Sequence, residues 1–351
     1  MGILVSLGAA GCGTVQSAAS WPGLASGTAS ATSHASSSSA AAPSPSPTPA
    51  YNVQPLLDPA QKYMGLEIPG APDSITPAKQ FQSWVGKAPD ILGNYVGWGT
   101  GFDAKAAQNA WNYGAIYFMV WEPGTATTST TTSTTSSTSS STITCAQIAD
   151  GDSDAYITQV ADSIRTLNVP VALSFGHEMN GNWYTWGTGQ TTAAQFVAAW
   201  QHVHNLFVAA GATNVIWIWD PNDIYPVPNV QLEPLYPGDA YVDWVGITGY
   251  FTQEGPNTYD SLYEPTIEEI SQFTQKPIII AETGVEPGSN EVASVDELFS
   301  TVLDHSNIIG FVWYDYDRNG DWRLENRPDV QSEFTTEAAN SVMGFNPVSL
   351  K

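Results

Sequence analysis

The chain has 351 residues, which suffice for one large domain or two small ones. Its hydrophobic fraction is 42%, with 13 Trp, 15 Tyr and 12 Phe, so wholesale disorder is excluded and a sizeable core can form. The 34 acidic residues outnumber the 10 basic ones and give a net charge of -24. This charge excludes nucleic acid and anionic membrane surfaces as partners, whereas a neutral polymer is compatible with it.

The first 50 residues have the composition of an export segment followed by a spacer. Residues 2–10 form an apolar run before Cys12 that is too short to span a bilayer and is typical of a signal sequence. We predict that residues 1–16 are an ordinary export signal or a lipoprotein-like segment lipidated at Cys12, and both stay open. Residues 17–50 are rich in Ser, Ala and Pro and predict a linker. The protein is expected outside the cell or at its surface, with Cys12 as its only membrane tether.

From residue 51 onward, apolar runs alternate with helical patterns. Short apolar runs predict buried strands, here over residues 63–68, 91–98, 115–121, 169–175, 215–219, 244–248, 277–281 and 308–314. Eight strands with helical segments between most of them predict a (β/α)8 barrel of the α/β class. A doubly wound open sheet has the same local pattern, but no Gly-rich nucleotide loop follows any of these strands. Residues 51–351 are predicted to form this single domain, as a monomer.

Helix starts and one insertion complete the predicted domain. Thr192 and Gln195 match a capping box at the head of a helix over 192–210. Thr76 as cap and Pro77 in the first turn mark an earlier helix. Residues 124–142 are almost entirely Thr and Ser and follow the third strand. They predict a flexible loop beside the strand ends, and a lid over a ligand is the second interpretation.

Two of the predicted strands lead into a glutamate. Glu178 follows the fourth strand, between His177 and an aromatic loop that contains Trp183, and Glu282 follows the seventh. Functional groups of such barrels come from the carboxyl ends of the strands, so these two carboxyls should meet. Glycoside hydrolysis needs one acid for the leaving oxygen and one carboxylate for the anomeric carbon. Either Glu alone has a second interpretation, as a helix cap or a solvated loop residue.

The sequence indicates no metal and no cofactor. The pair His177-Glu178 lacks the second His of a zinc-protease motif, because position 181 is Gly181. Residues 315–320 copy the first half of a calcium-binding loop, but the closing position holds Asn326. Cys12 and Cys145 are the only cysteines, so there is no disulfide framework.

Five segments resemble glycoside hydrolase family 26. They stand in the family's order and comprise residues 176–187, 236–246, 247–251, 281–284 and 321–323. The resemblance extends from residue 51 to the C-terminus. It implies a retaining (β/α)8 enzyme that cleaves β-linked polysaccharides, most often β-1,4-mannan, without a metal. Its expected partner is therefore the polysaccharide.

The family's site residues carry over onto matching positions. The resemblance implies that Glu178 is the acid/base and Glu282 the nucleophile, with carboxyls about 5 to 5.5 Å apart in a retaining enzyme. It also implies that Tyr250 positions Glu282. The residues expected to contact the sugar or line the cleft are His177, Trp183 and Trp313 from the resemblance, and Trp121 and Glu122 from their place at the end of the third strand. A helix-side acid is the other interpretation of Glu122.

The chain departs from the family's mannanases at two positions. Glu122 stands where they carry a His after a Trp, and Tyr314 stands where they tend to carry an Arg. Both positions lie where the axial 2-hydroxyl of mannose would be recognised. From the two glutamates and the resemblance we predict a secreted endo-acting hydrolase of β-1,4 linkages in a plant-type polysaccharide. β-Mannan is the first substrate, mixed-linkage β-1,3-1,4-glucan is the alternative, and a non-catalytic carbohydrate-binding barrel is the alternative from another class.

Overall fold

The computed structural model describes residues 49–124 and 143–350, which form a closed parallel barrel. Its strands are β1 (Tyr63–Glu67), β2 (Ile91–Gly97), β3 (Ile116–Glu122), β4 (Val171–Phe175), β5 (Val215–Trp219), β6 (Trp244–Thr248), β7 (Ile278–Thr283) and β8 (Ile308–Tyr314). Neighbours pair in chain order and β8 closes on β1. The predicted (β/α)8 barrel is confirmed, because apolar runs buried on both faces mark parallel strands clearly.

Helices surround the barrel. In the described residues they are α1 (Gln54–Leu57), α2 (Thr76–Val85), α3 (Ala104–Tyr113), α4 (Cys145–Ala149), α5 (Asp154–Leu167), α6 (Ala193–Ala210), α7 (Tyr259–Leu262), α8 (Glu264–Ile270), α9 (Glu291–Asp304) and α10 (Pro328–Ala338). Thr192 and Gln195 form the predicted capping box of α6. Thr76 is the first residue of α2 and not its cap, because the preceding residue, Ile75, already has helical backbone angles.

Several sequence predictions fall outside this part of the chain. The predicted signal segment, nearly all of the linker, and residues 125–142 of the Thr/Ser insertion lie outside the described residues. Among the residues that are described, no helix is long and apolar enough to cross a membrane.

Two apolar cores hold the barrel together. The inner core fills the barrel with side chains such as Ile91, Phe118 and Ile216. The outer core lies between the strands and the helices and contains most of the buried tryptophans. The N-terminal end of the barrel is covered by α1, whose Leu56 and Leu57 carbonyls accept hydrogen bonds from side chains of β1 and β6. The opposite end, where the strands finish, is left for the loops.

Candidate active site

A cavity of about 470 Å³ opens at the carboxyl ends of the strands. Its wall combines acidic, aromatic and cationic side chains from several strands and from the loops that follow them. The lining residues are Tyr95, Glu122, Glu178, Trp183, Tyr184, Tyr250, Glu282, Tyr314, Arg318, Asn319 and Trp322. The two glutamates predicted to meet thus line the same cavity, which is where a barrel of this kind places its reacting groups.

The loop after β4 holds Glu178 in a defined position. Glu178 has a positive φ of 52°, an uncommon conformation for a residue with a side chain. Its N–H donates to the Asp220 carbonyl at 2.6 Å. Two residues further on, the buried side-chain amide of Asn180 donates to the Asn222 carbonyl and accepts from the Asn222 N–H, both at 2.8 Å. These bonds tie the end of β4 to the end of β5 and so fix the Glu178 backbone.

The surroundings of Glu178 favour its protonated form. Burial, with a smaller contribution from the charge of Asp223, raises the pKa of its carboxyl to about 7. The indole N–H of Trp183 donates to Glu178 Oε2 at 2.6 Å and lowers this pKa in part. Trp183 remains 42% exposed, so its ring is also available for stacking. Glu178 can therefore act as a proton donor near neutral pH.

Glu282 points into the barrel because β7 carries one extra residue. Gly246 of β6 pairs with Ile279 of β7. Thr248, two residues further along β6, pairs with Glu282, three residues further along β7. Side chains alternate between the two faces of a strand, and an inserted residue reverses the alternation beyond it. This β-bulge turns Glu282 to the inside, on the same side as Thr248.

The surroundings of Glu282 offer it hydrogen bonding and positive charge. The Tyr250 hydroxyl donates to Glu282 Oε1, in agreement with the predicted positioning role of Tyr250. Burial raises the pKa of the Glu282 carboxyl, whereas the positive charge of Arg318 lowers it. Trp322 packs on the Tyr250 ring with centroids 4.3 Å apart. The carboxylate form of Glu282 thus has a fixed donor and a cation in reach.

His177 supports the cavity wall from behind. Its ring is buried, and Nε2 lies 3.1 Å from the hydroxyl of Tyr184, which lines the cavity. Burial and the charge of Arg318 lower the pKa of His177 to about 3, so the ring is neutral. Within the described residues His177 does not line the cavity itself. Its predicted sugar contact therefore remains a prediction, and what the structure records is its contact with Tyr184.

Glu122 is a third carboxyl in the cavity wall. It ends β3 and faces the same space as Glu178 and Glu282. Burial raises the pKa of the Glu122 carboxyl, and the charge of Arg318 lowers it. A carboxyl in this place can accept hydrogen bonds from sugar hydroxyls, which fits its interpretation as a ligand better than that of a helix-side acid.

Trp121 and Trp313 do not line the cavity. Both are fully buried in the outer core. The Trp121 ring stacks on Trp98 with centroids 4.6 Å apart, and Trp313 packs against a phenylalanine of α10 at 5.5 Å. Consecutive residues of a strand face opposite sides, so the next residues, Glu122 and Tyr314, face the cavity instead. The predicted sugar contacts of Trp121 and Trp313 are therefore wrong.

Several cavity residues were not found from the sequence. They are Tyr95, Arg318 and Asn319. Tyr184 and Trp322 lie in segments that carry the resemblance, residues 176–187 and 321–323, without a predicted site role of their own. Arg318 lies in the loop after β8, which had been compared only with a calcium-binding loop; the strand-end rule that found Glu282 also applies to this loop. Tyr95 lies inside β2, where only the alternation of faces could have indicated it.

Comparisons with known proteins agree with this geometry. The sequence model of Glycosyl hydrolase family 26 matches residues 90–284, more than half of the chain, including both glutamates. Endoglucanase H of Acetivibrio thermocellus is 29% identical over 279 residues, which are 76% of this chain and 29% of that protein. Mannan endo-1,4-beta-mannosidase A and B of Caldalkalibacillus mannanilyticus is 29% identical over 164 residues, 45% of this chain and 28% of that protein. The chain thus spans less than a third of the length of these two relatives.

Solved structures show the same fold. The catalytic domain of an endo-beta-1,4-mannanase from Bacillus sp. JAMB-750 superposes with a TM-score of 0.59 at 18% identity. The superposition covers 83% of this chain and 88% of that domain. At this identity the likeness concerns the fold alone, whereas the family follows from the sequence match over residues 90–284. The chain belongs to glycosyl hydrolase family 26.

Proposed function

We propose that the protein is an endo-acting hydrolase of β-linked polysaccharides that retains the anomeric configuration. The observation that carries this proposal is the unequal treatment of two carboxyls in one cavity. Burial raises the pKa of both carboxyls, but the charge of Arg318 opposes this rise at Glu282, which also accepts a hydrogen bond from Tyr250, whereas the charge of Asp223 adds to the rise at Glu178. Two carboxyls whose surroundings differ in this way divide the roles of acid and nucleophile.

The reaction follows from these roles in two displacements. Glu282 attacks the anomeric carbon, and the glycosidic C–O bond breaks as Glu178 gives its proton to the leaving oxygen. A glycosyl ester on Glu282 and an ionised Glu178 result. Glu178 then takes a proton from water, the water oxygen attacks the anomeric carbon, and the bond to Glu282 breaks. Both carboxyls return to their starting forms, and the product keeps the β configuration.

For the substrate we propose a gluco-configured chain, such as mixed-linkage β-1,3-1,4-glucan. Two observations support this choice over β-mannan. The side chains that face the cavity at the two positions of departure from the family's mannanases are Glu122 and Tyr314. Endoglucanase H matches 76% of this chain, whereas the mannosidase of C. mannanilyticus matches 45%. β-Mannan, the first expectation from the sequence, is the second candidate because several relatives are named for that activity.

The test is release of reducing sugar by the full-length protein from barley β-glucan, lichenan, β-mannan, glucomannan and β-1,3-xylan. We expect release from the two glucans, and loss of about three orders of magnitude or more in Glu282→Ala. The first product should be the β anomer by NMR. Release of sugar from mannan alone would make β-mannan the substrate in place of the mixed-linkage glucan. If the wild type releases no more sugar than Glu282→Ala from any polymer, the protein is a non-catalytic carbohydrate-binding barrel and the proposed enzyme is ruled out.

We also propose that the protein acts outside the cell. A polysaccharide does not cross a membrane, so an enzyme that cleaves it must meet it there. The predicted signal segment lies outside the described residues, and fractionation of an expressing culture tests the location. The activity should be found in the medium or on the cell surface.

A further inference from the structure

Glu67, at the end of β1, is a buried carboxyl that the proposed reaction does not use. Its side chain has no solvent exposure, and neither carboxyl oxygen has a hydrogen-bond partner among the described residues. Leaving a buried polar group in this state destabilises the folded protein, and more so for a charged group. A residue kept at such a cost inside a barrel deserves a functional explanation.

The neighbouring strand leaves space for this carboxyl. Glu67 pairs in register with Gly93 of β2. A Cβ atom built on Gly93 would lie 2.6 Å from Glu67 Oε1, closer than such atoms approach. Any side chain at position 93 would therefore displace the carboxyl. The glycine on β2 and the glutamate on β1 fit each other, which is evidence that the carboxyl belongs there.

Two other carboxyls act on Glu67. Glu282 approaches from β7 and Asp220 from the end of β5, and their charges, after burial itself, raise the pKa of Glu67 well above its ordinary value. The other titratable or charged groups nearby are Tyr250 after β6, Tyr314 on β8, and Tyr316 and Arg318 in the loop after β8. The charges of the Glu67 and Glu282 carboxyls oppose each other in this enclosure, which favours a state in which only one of the two is ionised.

Hydrogen bonding decides which of the two carboxyls is charged. Tyr250 donates to Glu282, and the Arg318 charge favours the ionised form of Glu282. Glu67 receives no hydrogen bond from the described residues. A carboxylate needs donors, whereas a neutral acid is less costly to bury without them. The negative charge therefore lies on Glu282 and the proton on Glu67.

We propose that Glu67 is a positioning residue for Glu282: a neutral acid whose O–H is directed at the Glu282 carboxylate across one water molecule, and which keeps the negative charge on the nucleophile. The inference rests on the proposed function and deepens it. When Glu282 becomes an ester its charge disappears, and hydrolysis restores it. Glu67 keeps its proton throughout, so the two displacements balance as before.

Two substitutions separate this role from a packing role. Glu67→Gln keeps a neutral donor of the same shape, so kcat/KM should stay within about threefold of wild type, and the acid limb of its pH profile should not move. Glu67→Met fills the space without a donor. We expect its kcat to fall about tenfold to a hundredfold, and its acid limb to move to higher pH, because Glu282 then ionises less readily.

A shift of the acid limb to lower pH in Glu67→Gln would overturn the proposal, because it would show that a like charge had been removed. A wild-type pH profile in Glu67→Met would also overturn it, because packing would then be the only role left for Glu67. Asp90→Asn is the matched control. Asp90 is a buried carboxyl at the other end of the barrel, held by the N–H groups of Met64 and Phe345, and its variant should change stability but not the pH profile.

Infrared spectroscopy tests the proton without turnover. The difference spectrum of wild type minus Glu67→Gln at neutral pH should contain the C=O band of a protonated carboxylic acid. A carboxylate band there would overturn the proposal, even where Glu67→Met fails to fold. If wild type releases sugar from no polymer, the proposed function fails, and this measurement still decides the protonation of Glu67.

Discussion

Trp183 tunes the acidity of Glu178 through one hydrogen bond. The indole N–H donates to the carboxyl and opposes the increase in pKa that burial causes. Trp183→Phe keeps an aromatic ring but removes the donor, so the pKa of Glu178 should rise above about 7. Because Glu178 must be protonated to act as the acid, the alkaline limb of kcat/KM should move to higher pH by about half a unit to one unit. A pH profile measured on the cleaved polysaccharide checks this.

The matched control for this substitution is Trp111→Phe. Trp111 lies on α3 and packs against Tyr51, away from the cavity. Its variant should keep the wild-type profile. An alkaline limb that moves to lower pH in Trp183→Phe would contradict the prediction, since it would mean that the indole favours the protonated form of Glu178.

The connection between the ends of β4 and β5 belongs to the scale of the element. Asn180→Ala removes both amide bonds to Asn222 and leaves a buried N–H without a partner, at a cost of about 1 to 3 kcal/mol. The loop that carries Glu178 also loses its anchor. We expect kcat/KM to fall about tenfold to a hundredfold, because small displacements of a catalytic group are costly. Kinetics and thermal unfolding, measured together, test this.

Asn214→Ala is the control for the connection. Asn214 is also buried and donates to two carbonyls, those of Ile164 and Val169, but it precedes β5 and so lies at the opposite end of the barrel. Its loss should lower the melting temperature by a similar amount and leave kcat nearly unchanged. Equal losses of kcat in the two variants would show that general destabilisation, and not the position of Glu178, limits the rate.

The strands could be predicted from the sequence more fully than the site. The eight strands are mostly apolar runs, and predicted and observed bounds differ by at most two residues. The two reactive carboxyls followed from the rule that strand ends carry function. Which side chains of each strand face the cavity did not follow from the sequence. An apolar run has no visible alternation, so the sequence predicts sugar contacts for both Trp121 and Glu122, of which only Glu122 faces the cavity. The same ambiguity concealed Tyr95.

Buried acids determine how the stability of the whole molecule should depend on pH. Burial raises the pKa of Asp90, Asp223 and Glu178 to about 7 each, against about 4 in an unfolded chain. Between these values the folded state binds more protons than the unfolded state, so stability falls as the pH rises through this window. Fewer surface charges at lower pH also weaken the self-repulsion of a chain with net charge -24.

We therefore expect the melting temperature to be about 5 °C or more higher at about pH 5 than at about pH 8. Thermal unfolding at low and high salt separates the two causes, because salt screens surface charges but not buried ones. Asp90→Asn should reduce the difference between the two pH values. A melting temperature that is higher at about pH 8 in high salt would mean that these carboxyls are ionised in the folded protein.

The extra residue in β7 affects how this strand can be mutated, grafted and aligned with the strands of other barrels. If β7 ran through the same residues without the bulge, regular alternation from Ile279 would turn the carboxyl of Glu282 toward the helices and the hydroxyl of Thr283 toward the substrate. A gap misplaced by one position in a sequence alignment would likewise put Thr283 in the place of Glu282. Transfer of this chemistry to another barrel therefore requires the whole segment Ile278–Thr283, since the glutamate alone, grafted onto an unbulged strand, would face the wrong layer.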